Sequence, residues 1–229
     1  MRELVTHRSG YAEFGADTLR RAVWSAPLGR NWIGTDLDQT LQEARSGNLA
    51  GRGSFGYSTL GAATAGQAAA VAAGMSYPEL MRTRLFVPLG MTDSAIQVGH
   101  PLVQNGTTVS GLSAQPWVFD GYAPGGAAVS TARDLSILAT ALLNGTAPGM
   151  DALTPTAPTD QSNTGIGAFW RVSQWQTGQT ITWHNGQTAG YTSYLGLDRA
   201  HHTAVIVLSD VAVDPGTTDL GIQLLARRG

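Results

Sequence analysis

The sequence predicts an α+β fold in which helices come first and an antiparallel sheet closes the chain. Three observations carry that reading. Apolar residues recur at helical spacing through most of roughly the first 145 residues. Short runs of β-branched and aromatic residues, separated by turns, fill residues 167 to 209. An amphipathic segment, Thr217 to Arg228 with Leu220, Leu224 and Leu225, then reads as a helix laid on the sheet. The expected organisation is a single domain over 1–229, mainly helical to about residue 145, with sheet and closing helix over 165–229.

Taken in order, residues 1 to 10 read as the last part of a helix, from Arg2 to Thr6, that ends at Ser9-Gly10, and His7 either as a catalytic base or as a residue that holds a loop by hydrogen bonds. Asp17 to Ser25 and Asp36 to Arg45 follow as helices, each with an acid near its start, and Gly47 stops the second. Arg52-Gly53-Ser54-Phe55-Gly56 delivers the chain to Tyr57, and an Ala/Gly-rich helix runs from Leu60 to Gly74. Ser76-Tyr77-Pro78-Glu79 is a capping box that opens a helix to about Phe86, closed by Pro88-Leu89-Gly90-Met91. Residues 95 to 123 read as short extended pieces, with Trp117, Phe119 and Tyr122 as wall or core aromatics. Ser130 or Thr131 caps the next helix, Gly145 follows it, and Ala147 to Thr164 reads as a long surface loop. Strands are expected over Gly167 to Gln174, Thr180 to His184, Tyr191 to Leu197 and Thr203 to Ser209, the second breaking at Asn185-Gly186.

Composition excludes several functions. At 229 residues the chain buries one sizeable core, and 42% hydrophobic content is globular. A net charge of −2 argues against nucleic-acid or anionic-membrane partners. With no cysteine there is no disulfide, thiolate nucleophile or cysteine metal site. His201-His202 are adjacent, so their rings point apart with no third ligand near in sequence; neither a metal nor another cofactor is expected. No apolar run approaches the roughly 20 residues of a membrane span, and Met1-Arg2-Glu3-Leu4 leads straight into a helical pattern with no signal peptide.

The segment His184-Asn185-Gly186-Gln187-Thr188-Ala189-Gly190-Tyr191 resembles the K-T-G or H-x-G strand of the penicillin-recognising serine hydrolases. That family holds class C β-lactamases, D-Ala-D-Ala carboxypeptidases and β-lactamase-like (family VIII) esterases. Thr6-His7-Arg8-Ser9-Gly10 resembles its T-H-x-S-G, Tyr57-Ser58-Thr59 its Y-x-N, and Pro88-Leu89-Gly90-Met91 its P-L-G-M. Gly125-Gly126 to Leu143 resembles its G-G-x-x-S-T-A-x-D-L helix, so the pieces run in family order along nearly the whole chain.

The resemblance implies a β-lactamase/transpeptidase-like antiparallel sheet flanked by helices, acyl transfer on an amide, lactam or ester carbonyl, and a small-molecule or peptide substrate. It implies Tyr57 and His184 as catalytic residues, and Thr59, Asn185, Gly186 and Gln187 as substrate-binding. His184 would fix a substrate carboxylate and the Gln187 backbone N–H would donate to an oxyanion. Thr59 departs from the family's Asn, keeping a hydroxyl without the paired amide. The family's S-x-x-K nucleophile motif is absent, and all 14 basic residues are Arg. The chain is therefore expected to be an inactive fragment without its nucleophile segment, or else a non-catalytic protein that binds peptidoglycan-like peptides or a partner chain. Lacking a neighbouring ammonium, Tyr57 is expected to titrate near the ordinary value of about 10. A Ser-His-Asp hydrolase using Ser9 or Ser54 with His184 is a third reading. Family members are commonly exported or sit at the cell envelope. Loss of the family's N-terminal strands would leave an unpaired sheet edge open to association.

Overall fold

The computed structural model describes residues 1–175, 178–213 and 215–227. Eight helices are present among them: α1 (Arg2–Val5), α2 (Ala16–Ser25), α3 (Leu37–Ser46), α4 (Thr59–Ala72), α5 (Tyr77–Met81), α6 (Val87–Leu89), α7 (Ala132–Leu143) and α8 (Gly216–Ala226). A π turn, Arg82–Phe86, joins α5 to α6, so the helix expected to end near Phe86 runs on with a local irregularity. Side-chain caps set several starts. The Asp36 carboxylate accepts the Gln39 N–H, Ser58 Oγ the Gly61 N–H, and Thr131 Oγ1 the Asp134 N–H. Gly90 closes α6 at φ 73°, a left-handed conformation that glycine adopts without strain. The expected closing helix ends at Ala226; Arg228 lies outside the described residues.

The main sheet is antiparallel throughout, six strands in the order β10-β9-β8-β7-β6-β5. These are β5 (Ala157–Pro158), β6 (Thr164–Ile166), β7 (Arg171–Gln174), β8 (Thr180–Gln187), β9 (Thr192–Asp198) and β10 (Thr203–Ser209). Two pairs stand apart from it, β1 (Ala95–Ile96) with β4 (Ala128–Val129) and β2 (Gly106–Thr107) with β3 (Ser113–Ala114).

Two expectations are corrected here. The stretch Ala147 to Thr164 is not a plain surface loop: Ala147, Leu153 and Thr164 are buried, and β5 and the start of β6 extend the sheet. And β8 does not break at Asn185-Gly186 but continues to Gln187, because β9 pairs with it as far as Gln187 opposite Thr192. A glycine weakens a strand locally, yet a full partner strand outweighs that loss.

Three core clusters are present among the described residues. Leu60, Phe86, Phe119 and Tyr122 fill the helical part, Leu142, Leu153 and Leu197 the layer between α7 and the sheet, and Ile181, Tyr194 and Leu225 the layer under α8. The edge strand β10 has helices on its faces but no strand along its outer side among the described residues. No helix among the described residues is long and apolar enough to cross a membrane.

Candidate active-site cleft

Tyr57, Thr59, His184, Asn185, Gly186 and Gln187, separated by more than a hundred residues in sequence, all line one cleft of about 1250 Å³. Two constructions bring them there.

The first is the turn into α4. His7 sits in the left-handed region at φ 52° and is 2% exposed. Its Nδ1 accepts the Ser58 N–H at 3.1 Å, and its ring lies 4.5 Å from that of Tyr57. Ser58 Oγ donates to Ala12 O at 2.7 Å while accepting the Gly61 N–H at 2.8 Å. Tyr57 is thereby fixed one residue before the cap, and Thr59 is the first residue of the helix. His7 thus acts as a loop-holding residue. Burial pushes its pKa down to about 4, with the neighbouring His184 and Arg171 adding to the shift, so the ring is neutral at pH 7.

The second is the β8–β9 hairpin. Thr188 N–H bonds Tyr191 O at 2.9 Å, which makes those two a hydrogen-bonded pair. By antiparallel alternation the Gln187–Thr192 pair is a non-bonded one, so Gln187 directs its N–H away from β9. Pairing with β7 ends at Trp183, which leaves that side of Gln187 without a strand. Asn185 spends its side-chain amide on Thr218 Oγ1 at 3.1 Å, tying β8 to α8.

His184 is oriented by its neighbour in sequence. Its Nδ1 lies 2.5 Å from the Asn185 carbonyl oxygen, which can only accept, so Nδ1 carries the proton and Nε2 is an acceptor in the neutral ring. Burial lowers its pKa and the nearby Arg171 guanidinium lowers it further, against the Asn185 contact. That shift favours the uncharged ring at pH 7. Arg171 itself lies over the Phe55 and Trp183 rings, at 5.4 and 5.6 Å, and does not line the cleft. Tyr57 is corrected. Burial and the Glu13 carboxylate raise its pKa above the usual phenol value, outweighing Arg171 and the Thr59 hydroxyl.

Further lining residues escaped the sequence pattern. Glu13, Phe14 and Trp32 join Trp117 and Phe119, and Val103 and Val109 come from the segment around the β2–β3 hairpin. Phe14 meets Trp32 edge-to-face at 5.0 Å, and Trp32 meets Trp117 likewise at 4.7 Å. Tyr122, expected as a wall or core aromatic, is a core one, fully buried behind this wall and bonding Glu43. Neither Ser9 nor Ser54 lines the cleft, so pairing either with His184 has no geometric support. His201 Nδ1 sits 2.8 Å from an Asp198 carboxylate oxygen, far along the sheet from the cleft residues, and no cluster able to hold a metal exists among the described residues.

The model of the Beta-lactamase family matches residues 1–227. The chain belongs to the β-lactamase family. Solved structures share the family fold. A class C β-lactamase from Rhodobacter sphaeroides is 16% identical with a TM-score of 0.77, over 99% of this chain and 71% of that one. A D-stereospecific amidohydrolase from Streptomyces sp. is 18% identical, TM-score 0.74, over 92% and 67%. A D-amino acid amidase from Ochrobactrum anthropi is 23% identical, TM-score 0.71, over 91% and 62%. This β-lactamase-family chain thus spans 62% to 71% of the length of those three. No curated protein sequence matches it.

Proposed function

We propose that this chain holds the carbonyl-binding part of a serine-hydrolase acyl-transfer site, and that its 229 residues do not turn substrate over by themselves. The observation that carries the reading is the convergence of Tyr57, His184 and the outward Gln187 N–H on one cleft. In acyl transfer a serine oxygen attacks an amide, lactam or ester carbonyl, an acyl-enzyme forms, and water releases it. The Gln187 N–H is placed to donate to the oxygen that gains charge in that attack. The Tyr57 hydroxyl and the His184 Nε2 are the groups able to carry a proton between attacking and leaving atoms. Tyr57 does so as a neutral hydroxyl, since its pKa lies above the usual value. No serine here has a lysine three residues on, because the sequence holds no lysine, and a serine without such a base is a weak nucleophile. Thr59, Asn185 and Gly186 shape the substrate side of the wall.

The test combines two readouts on the purified chain. Intact mass after incubation with a fluorescent penicillin and with a fluorophosphonate is expected to stay unmodified. Tryptophan fluorescence should meanwhile show saturable binding of N-acetylphenylalaninamide that is weakened in His184→Ala. A covalent adduct, mapped to a serine of this chain, would overturn the absence of turnover. Binding indifferent to His184→Ala would overturn the assignment of the cleft.

A further inference from the structure

The main sheet has two edges, and the sequence treats them differently. β5 is two residues long and ends in Pro158, which has no N–H and whose carbonyl accepts from Arg8 at 3.1 Å. That edge is blunted against a further strand. β10 runs seven residues, Thr203–Ser209, with neither a charge nor a proline. Its outward groups follow from the register. Because Gln187–Thr192 is a non-bonded pair between β8 and β9, Thr192, Tyr194, Gly196 and Asp198 turn their N–H and C=O toward β10. Their partners there are Ser209, Val207, Val205 and Thr203. Ala204, Ile206 and Leu208 therefore point theirs away from the sheet, where no backbone group meets them among the described residues. The open stretch stops at the turn over 199–202 on one side and at β2, which bridges Val211, on the other.

A helix overhangs this edge with unpartnered apolar side chains. α8 packs chiefly on β9 and β10. Its Thr218 bonds Asn185 of β8, and its Thr217 bonds Thr192 of β9. One residue turns a helix by about 100°, so the step from Thr218 to Thr217 points the way from β8 toward β10. Leu224 and Leu220 lie further round in the same sense, over β10 and its open side. They are 38% and 47% exposed and belong to none of the core clusters.

What fits here brings a bare strand and an apolar helix side by side, and the chain itself carries that pair. Charge agrees. Antiparallel pairing of two β10 strands sets the 199–202 turn of each chain, with Arg199 and His202, toward the exposed Asp210 of the other. Neither Arg199 nor Asp210 has an ion-pair partner among the described residues.

We propose that β10 pairs antiparallel with β10 of a second copy about a two-fold axis, so that the two sheets become one and Leu220 and Leu224 meet their counterparts across the axis. Strands lie about 4.8 Å apart, so two α8 helices riding over β9 and β10 come within about 10 Å, the ordinary separation of packed helices. With β5 blunted, the pairing closes at two chains and does not run on as a filament. Leu208 and Asp210 line the cleft, so the turn of the second copy borders its rim.

The experiment is sedimentation of the purified chain, with amide exchange read by NMR on the same samples. Between about 1 and 100 µM the mass of one chain should give way to that of two. Over that range the Ala204, Ile206 and Leu208 amides should slow by about tenfold, while Val205 and Val207, already bonded to β9, stay unchanged. Leu220→Lys with Leu224→Lys gathers positive charge at the axis and should restore the single-chain mass at about 100 µM with the far-UV circular dichroism of the parent. A single-chain mass at every concentration overturns the proposal. So does a two-chain mass that the folded double variant retains, or growth beyond two chains. The exchange is read on the parent, so amides indifferent to concentration in a two-chain species overturn the placement at β10 even where the variant fails to fold.

Discussion

His7 and Ser58, 51 residues apart, are joined by a hydrogen bond from the Ser58 N–H to the imidazole Nδ1, which needs its lone pair free. The bond makes the turn into α4 sensitive to acid. His7 holds a pKa of about 4 in the fold against 6.5 when exposed, so on acidification the unfolded chain takes up the proton first. Stability from this residue is complete above about pH 6.5 and is lost as pH falls toward 4, by about 3 kcal/mol in all. Thermal unfolding midpoints should fall between pH 6.5 and 4 more steeply for the parent chain than for His7→Asn, which tolerates the left-handed backbone but carries no titrating ring. Equal slopes would show that His7 is not the responsible group.

Glu43 should be a costly acid to remove. It is 5% exposed and accepts the Thr18 N–H at 2.8 Å, the Thr18 hydroxyl at 3.0 Å and the Tyr122 hydroxyl at 2.8 Å. Truncation leaves these donors buried and unmet, so Glu43→Ala is expected to cost about 2–4 kcal/mol in chemical denaturation. Glu43→Gln keeps an acceptor and should cost about half as much or less. Equal losses from both would mean that shape, not hydrogen bonding, explains the position.

Histidine-selective NMR provides a direct view of His184. With Nδ1 facing the Asn185 carbonyl and the pKa held below the usual value, the ring should be neutral at pH 7 as the Nδ1–H tautomer. Replacing Arg171 with Met removes a neighbouring positive charge and should move the His184 titration upward. A ring already protonated at pH 7, or an unmoved titration, would contradict the electrostatics described for the cleft.

Gly190 and Gly106 leave no space for a side chain between them. A Cβ on Gly190 would lie 2.7 Å from the Gly106 Cα, a backbone atom that cannot swing aside. Gly190→Ala should therefore push the β2–β3 hairpin outward and cost about 1–3 kcal/mol. Limited proteolysis between residues 102 and 113 checks it: cleavage there should be faster in the variant, and an unchanged rate would refute the contact.

The parts of this fold that the sequence made legible are those decided locally. Asp36, Ser76 and Thr131 cap helices because a short polar side chain reaches an N–H two or three residues on, whatever lies elsewhere. The strands Thr180 and Thr203 begin where alternation begins. Continuation of β8 through Gly186 was hidden, since it depends on β9 and not on the glycine. Buried positions within Ala147 to Thr164 were hidden for the same reason: Leu153 is buried by α7 and the sheet, which its own polar surroundings do not announce. The cleft divided likewise. Tyr57 and the run from His184 to Gln187 stand in recognisable motifs, whereas Glu13 and Trp32 reach the same wall only through packing across distant segments. The charge state of His184 was beyond reach, because it is set by burial in the folded chain and by an arginine on the next strand, against the pull of the Asn185 carbonyl.

The hairpin over the cleft is held twice, by Thr107 N–H to Asp210 O and by Ala212 N–H to Thr107 O, both at 2.8 Å. A roof bonded to the sheet at its base does not need to swing for a ligand to enter. Time, then, is governed by encounter. Association should follow a single exponential at every ligand concentration, with an observed rate that rises linearly with concentration and no plateau from a slow opening step. Differences in affinity among ligands will appear in how long each one stays.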